Sequence, residues 1–293
     1  MTEDSLHLAP RVGSAGAVLM DYVAEQAERL ATEETRVRNG APDAVHQMRI
    51  AARRLRSALT AYRPVLDRTR TDPVAERLRD LGRHLAPARD AEVLRERVDA
   101  DLAALPSELL LGPVRAQATR HFAGVEAEAG AAALAALDSP EHLALRTALH
   151  DLLEQPPLND RADQRARKAL STRRTAKRLR RAMRAALADG NGPDSDGPDS
   201  DHDTTLHTAR KAAKRLRYAT EVTGDRPRGL KPLLKALGRH QDAVVARPVL
   251  RELGAAADNG FSFGVLYGLD GSRAAAIEAE LPRLWRQARA HIR

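Results

Sequence analysis

Apolar residues recur every three or four positions along most of the chain, and runs of β-branched residues are short. That spacing lines one face of a helix, so the pattern predicts helices nearly throughout and no strand. Pro and Gly fall mostly between the periodic stretches. The loop Asn39-Gly40-Ala41-Pro42-Asp43 predicts a helix start with Asp43 as N-cap, and Thr71-Asp72-Pro73 predicts a second one. Gln155-Pro156-Pro157 breaks the chain near its middle, and Pro227 to Gly229 marks a later turn. The resulting expectation is an all-α protein of roughly eight to ten helices.

The chain repeats itself once. Val45–Leu59 (VHQMRIAARRLRSAL) matches Leu206–Thr220 (LHTARKAAKRLRYAT), and Leu85–Val93 (LAPARDAEV) matches Leu237–Val245 (LGRHQDAVV), with Asp90 opposite Asp242. Both elements keep their order, which predicts a duplicated helical unit. One segment interrupts the periodicity: from Asp189 to Asp203 there is no apolar residue, and Asp stands at 189, 194, 196, 199, 201 and 203 among Gly and Pro. It lacks the closing Glu of a calcium loop and reads as an acidic flexible linker over 189–205. The sequence thus predicts one domain over 1–293, with an N-terminal helical half at about 12–156 and a C-terminal half at about 161–293.

The repeated word carries the candidate chemistry. His46, Arg49, Arg53 and Arg56 are spaced three, four, three, as are His207, Arg210, Lys214 and Arg217. At about 100° per residue each set falls within an arc of roughly 80°, beside an apolar stripe. The row from His46 to Arg56 is roughly 15 Å long at about 1.5 Å per residue. Arg54, Lys211 and Arg215 widen the rows, and no acid occurs between 46 and 66 or between 206 and 220. Like charges on one stripe repel, so either an anion or acids from elsewhere, Asp90 and Asp242 among them, must neutralise them. A third basic stretch, from Arg161 to Arg184, places Arg167, Arg174, Arg178 and Arg181 on one face, with Ala176, Leu179 and Met183 opposite. Arg predominates over Lys in these rows, and its planar fork suits phosphate oxygens in pairs.

Composition narrows the ligand. Lys plus Arg is 48 against 40 for Asp plus Glu, a formal charge of +8. No cysteine is present, which excludes disulfides, cysteine-ligated zinc and thiol catalysis. Aromatic residues make up 3% of the chain, too few for a platform that stacks bases. No apolar run approaches the roughly 20 residues of a membrane span, and the first residues lack the order of a secretion signal. A soluble, cytoplasmic, anion-binding protein is therefore expected, without membrane partner, metal or cofactor. Gly260-Phe-Ser262-Phe-Gly264 matches the nucleophile-elbow word, but that word needs a strand-turn-helix setting and a helix start is expected here. No phosphate-binding Gly-rich loop or His-Glu-x-x-His word is present.

At both copies of the basic word, at Ala88–Val93 and Leu237–Ala246, and from Gly260 to Trp285, the sequence resembles the CHAD family, the conserved-histidine α-helical domain. The resemblance runs from about Ala15 to Arg289. It implies two pseudo-symmetric bundles of about four helices each around a basic cavity, binding of inorganic polyphosphate, and association with polyphosphate granules. Carried onto this chain, it makes ligand contacts of His46, Arg49, Arg53, Arg54, Arg56, His207, Arg210, Lys211, Lys214, Arg215 and Arg217, with Arg89 and His240 from the second shared word. Lys214 stands where the first copy has Arg53, and Ala88 stands opposite His240. Nucleic acid is expected to bind only non-specifically. The alternatives left open are a nucleic-acid-binding protein and a metal-dependent hydrolase of polyphosphate or phosphate esters.

Overall fold

The apolar spacing closes into helices in the computed structural model, which describes residues 13–189 and 201–292. The elements are α1 (Ala15–Arg38), α2 (Ala44–Ala61), α3 (Arg68–His84), α4 (Ala86–Ala104), α5 (Val114–Leu137), α6 (Pro140–Glu154), α7 (Ala166–Ala169), α8 (Arg173–Asp189), α9 (Asp201–Val222), α10 (Leu230–Ala256) and α11 (Phe261–Arg289). Short 3-10 turns stand at Arg63–Val65, Ser107–Leu109 and Asp160–Asp163. No named strand occurs among the described residues, only isolated bridges between Ser14 and Arg165 and between Leu66 and Leu158. The all-α expectation holds.

The chain divides into two compact units built from separated segments. One takes the described residues of Met1–Pro87, Gly130–Arg174 and Tyr218–Asp225; the other takes those of Ala88–Ala129, Thr175–Arg217 and Arg226–Arg293. The sequence predicts consecutive halves, at about 12–156 and 161–293. Each unit is instead drawn from separated segments of the chain, so α4, α5, α8 and α9 each carry residues of both. The expected linker over 189–205 is also shorter at its C-terminal end: α9 is already helical from Asp201, and residues 190–200 lie outside the described residues.

In the first unit α1 packs on α2, α2 on α3, and α3 on α6. Leu19, Val23 and Leu30 of α1, Met48 and Leu55 of α2, Leu78 of α3 and Leu145 of α6 are buried. Tyr62, 1% exposed, donates its hydroxyl to the Ala219 carbonyl at 2.6 Å. The second unit has two apolar clusters. One joins α8, α9, α10 and the C-terminal part of α11 around Leu179, Met183, Leu216, Leu233 and Leu281. The other joins α4, α5, the end of α10 and the start of α11 around Leu102, Phe122, Leu250 and Phe263.

Helix starts follow local chemistry with two departures from expectation. Asp43 is the N-cap of α2 but sits at φ 60 and makes no side-chain cap bond; its Oδ2 accepts from Gln47 Nε2 at 2.6 Å instead. The Thr71-Asp72-Pro73 start is displaced by a turn: Asp67 caps α3, accepting from the Thr69 N–H at 2.9 Å, and Pro73 lies inside the helix. The breaks at Gln155 and before α10 stand as expected. Gly229, at φ 78, begins α10 where an added Cβ would lie 2.8 Å from the Ala288 Cα, so both its backbone angle and its surroundings require glycine.

Candidate anion-binding site

Burial of one face determines where the cations of α2 and α9 lie. Met48, Ala51, Ala52 and Leu55 are buried in α2, and the matched residues Ala209, Ala212, Ala213 and Leu216 are buried in α9. The duplication is thus structural, with the same register facing a core in each copy. Its second word diverges: in α10 it lies mid-helix, whereas in the first copy the helix breaks at Leu85 and resumes as α4, with Pro87 in the first turn, where a missing N–H costs little.

Along α2, in the first unit, Arg53 is exposed and forms no ion pair among the described residues. His46 and Arg56 are half-buried. Arg49 and Arg54 have protein partners. Arg49, 7% exposed, donates from Nη1 to the Ala86 carbonyl at 3.0 Å. Arg54 Nε meets Glu221 Oε2 at 2.9 Å, and the same oxygen accepts from the Tyr22 hydroxyl at 3.4 Å. Burial, followed by the Glu221 charge, pushes the Tyr22 phenol above its ordinary range. Arg49 therefore ties α2 to the start of α4, and an anion reaching Arg54 must compete with Glu221.

Along α9, in the second unit, Lys211 and Arg215 are exposed and form no ion pair among the described residues. Arg217 is exposed, and His207, Arg210 and Lys214 are half-buried. His207 Nδ1 is hydrogen-bonded to Gln241 Oε1. Its imidazole is held below its ordinary range, first by burial and then by the charges of Lys211, Arg210 and Lys214, against the raising effect of Gln241. Its depressed basicity is foremost an effect of burial, to which the neighbouring cations add.

The third basic stretch is not one helix. Leu170 is buried, the helix stops after Ala169, and α8 restarts where Ser171 Oγ accepts from the Arg173 N–H at 3.4 Å. Arg167, on α7, therefore does not share a helical face with Arg174, Arg178 and Arg181. Those three line the exposed side of α8 while Ala176, Leu179 and Met183 are fully buried opposite. Among the described residues none of these four arginines forms an ion pair. One feature escaped the sequence pattern: Arg180 and Arg184 of α8 meet Arg286 and Arg289 of α11 around Trp285, lining an open cavity of about 680 Å³. Bringing together helices about a hundred positions apart is a tertiary event that local spacing does not reveal.

The remaining candidates are engaged by other protein groups. Arg89 pairs along its own helix with Glu92 at 2.7 Å. His240 is 2% exposed, with Nε2 2.7 Å from Glu278 Oε1 and 3.6 Å from Asp203 Oδ1, an acidic setting that opposes anion contact. Asp242 lines a separate cavity of about 730 Å³ with Arg97, Arg239 and Arg273. Ser262 is fully buried in the first turn of α11, donating to the Leu109 carbonyl at 2.7 Å and accepting from the Leu111 N–H at 2.9 Å. It pins a loop, and no strand precedes it as a nucleophile elbow requires. No helix among the described residues is long and apolar enough to cross a membrane.

Comparison with known proteins agrees with this architecture. The family model for the CHAD domain matches residues 21–251. Two curated relatives, the uncharacterized protein MT2285 of Mycobacterium tuberculosis (strain CDC 1551 / Oshkosh) and the uncharacterized protein Rv2226 of Mycobacterium tuberculosis (strain ATCC 25618 / H37Rv), are each 34% identical over 256 residues. The match covers 84% of this chain and 48% of each relative, so the chain spans about half their length. PptA from Streptomyces chartreusis superposes with a TM-score of 0.77 at 23% identity, covering 93% of this chain and 99% of that one. The crystal structure of the CHAD domain from the plant Ricinus communis superposes with a TM-score of 0.69 at 23% identity, covering 96% and 94%.

Proposed function

Because the chain belongs to the CHAD-domain family, we propose that it binds inorganic polyphosphate along its cationic helix faces, without cleaving it, as a cytoplasmic protein associated with polyphosphate granules. The observation that carries this reading is a set of exposed cations on buried-faced helices that no acid among the described residues neutralises: Arg53, Arg174, Arg178, Arg181, Lys211 and Arg215. Successive members of a row stand three or four residues apart, about 4.5–6 Å along the helix axis. A flexible chain carrying a charge on every phosphate can match that repeat, and guanidinium forks suit its oxygens. Arg56, Arg210 and Lys214, half-buried, stand in the same rows.

Nucleic acid would meet the same charges, but at 3% aromatic residues the chain offers few rings for base stacking. The reading is tested by competition: long-chain polyphosphate should displace single-stranded DNA or RNA at equal charge, and displacement only in the opposite direction would favour a nucleic-acid binder. Incubation with polyphosphate and Mg²⁺ or Mn²⁺ should release no phosphate; steady release abolished by chelation would make the protein a hydrolase.

A further inference from the structure

The second unit holds a cluster of opposite character to its cation rows. Asp203, in the first turn of α9, His240, in α10, and Glu278, in α11, bring three potential ligand atoms within 4.8 Å of one another. His240 Nε2 lies 2.7 Å from Glu278 Oε1 and 3.6 Å from Asp203 Oδ1. A second imidazole lies beside one member of the group: His202 Nε2 is 3.5 Å from Glu278 Oε2. His202 is 8% exposed and its Nδ1 is buried without a hydrogen-bond partner.

We propose that His202, Asp203, His240 and Glu278 form a structural site for a divalent transition ion of the zinc type, clamping the start of α9 to α10 and α11. Four ligands at about 2.0–2.2 Å around a tetrahedral ion stand roughly 3.3–3.6 Å apart. The 3.6 Å between His240 and Asp203 already suits that geometry, and His202, 3.5 Å from the other oxygen of Glu278, completes the set by turning toward it. Opening the 2.7 Å contact needs only a small movement of Glu278, whose side chain is 33% exposed. Two carboxylates balance the charge of the ion, and two imidazoles select a transition metal over Mg²⁺ or Ca²⁺, which favour oxygen. The histidines are buried, which leaves little room for substrate and marks the site as structural. Any proton on the ligating nitrogens leaves to solvent when the ion enters.

The test uses the full chain without polyphosphate, which would itself chelate metals. Co²⁺ is titrated with visible absorbance as the readout, followed by displacement with Zn²⁺, and Zn²⁺ and Mg²⁺ are titrated by calorimetry. The expected result is an intense four-coordinate Co²⁺ spectrum lost on adding Zn²⁺, a Tm raised by Zn²⁺, and no response to Mg²⁺. Glu278→Gln and Asp203→Asn, on the more exposed side of the cluster, should each weaken Zn²⁺ binding by at least the roughly 10–100-fold that loss of an outer-shell partner costs. His84→Ala, at an exposed histidine on α3, should leave it unchanged. No Zn²⁺ binding, weak six-coordinate bands, or equal affinity in Glu278→Gln and the parent overturns the proposal and leaves a buried ion pair.

Discussion

Changing Arg53, Lys211 and Arg215 together to Gln separates the charge of the rows from the stability of the helices that carry them. All three are exposed and without an ion pair among the described residues, so each substitution should alter folding by less than about 0.5 kcal/mol. Their effect on binding should be large. Each cation neutralising a phosphate of a flexible single chain contributes about 0.7 to the slope of log affinity against log salt. Three of them contribute about 2. Between 50 and 200 mM salt the parent should therefore lose about 20-fold more affinity than the triple variant. Anisotropy of labelled long-chain polyphosphate across a salt series measures both slopes, and circular dichroism verifies the fold. Arg53→Lys with Arg215→Lys should keep the parent slope while losing bidentate contacts. A triple variant with the parent's affinity and slope refutes the assignment of these residues.

Three further outcomes follow from particular contacts. His207 is held below its ordinary pKa of 6.5, first by burial and then by neighbouring cations. It therefore costs folding stability as pH falls through about 6.5, where the unfolded imidazole takes up a proton and the folded one does not. A bound polyanion favours the imidazolium, so binding should take up protons and tighten toward acid pH. Calorimetry in buffers of different ionisation enthalpy should show that uptake reduced in His207→Gln; undiminished uptake would place the proton elsewhere. Tyr62→Phe orphans the buried Ala219 carbonyl and should cost about 1–3 kcal/mol in urea unfolding. Gly229→Ala meets the Ala288 backbone at 2.8 Å, whereas Gly224→Ala, at φ 72, meets nothing within 4 Å. Both should destabilise, Gly224→Ala by about 1–2 kcal/mol and Gly229→Ala distinctly more; equal losses would contradict the packing of α10 against the end of α11.

Much of the fold was legible because it is local. The apolar periods at Met48, Ala52 and Leu55 and at Ala209, Ala213 and Leu216 predict the buried faces of α2 and α9. The cations beside them follow from helix geometry. What was not legible depends on contacts remote in sequence. Arg54 is paired with Glu221, an acid just beyond the acid-free window of the other copy. Arg49 belongs to the arc of cations by spacing, yet the Ala86 carbonyl draws it inward. His240 shares the family word, but Asp203 and Glu278 converge on it from other helices. Short-range signals also competed: Asp67 caps α3 a turn before the Asp-Pro pair, and Ser171 restarts a helix inside a stretch whose charge pattern looked continuous.

The central claim, that linear polyphosphate is held by rows of helix-borne cations, is tested most directly by calorimetric titration with polyphosphates of graded length. A row of about 15 Å can engage only part of its charge with pyrophosphate and all of it with longer chains. Affinity should climb steeply with length, level off once a chain spans a row, and fall with added salt. Binding that is absent at every length, or equal for pyrophosphate and long chains, would contradict it.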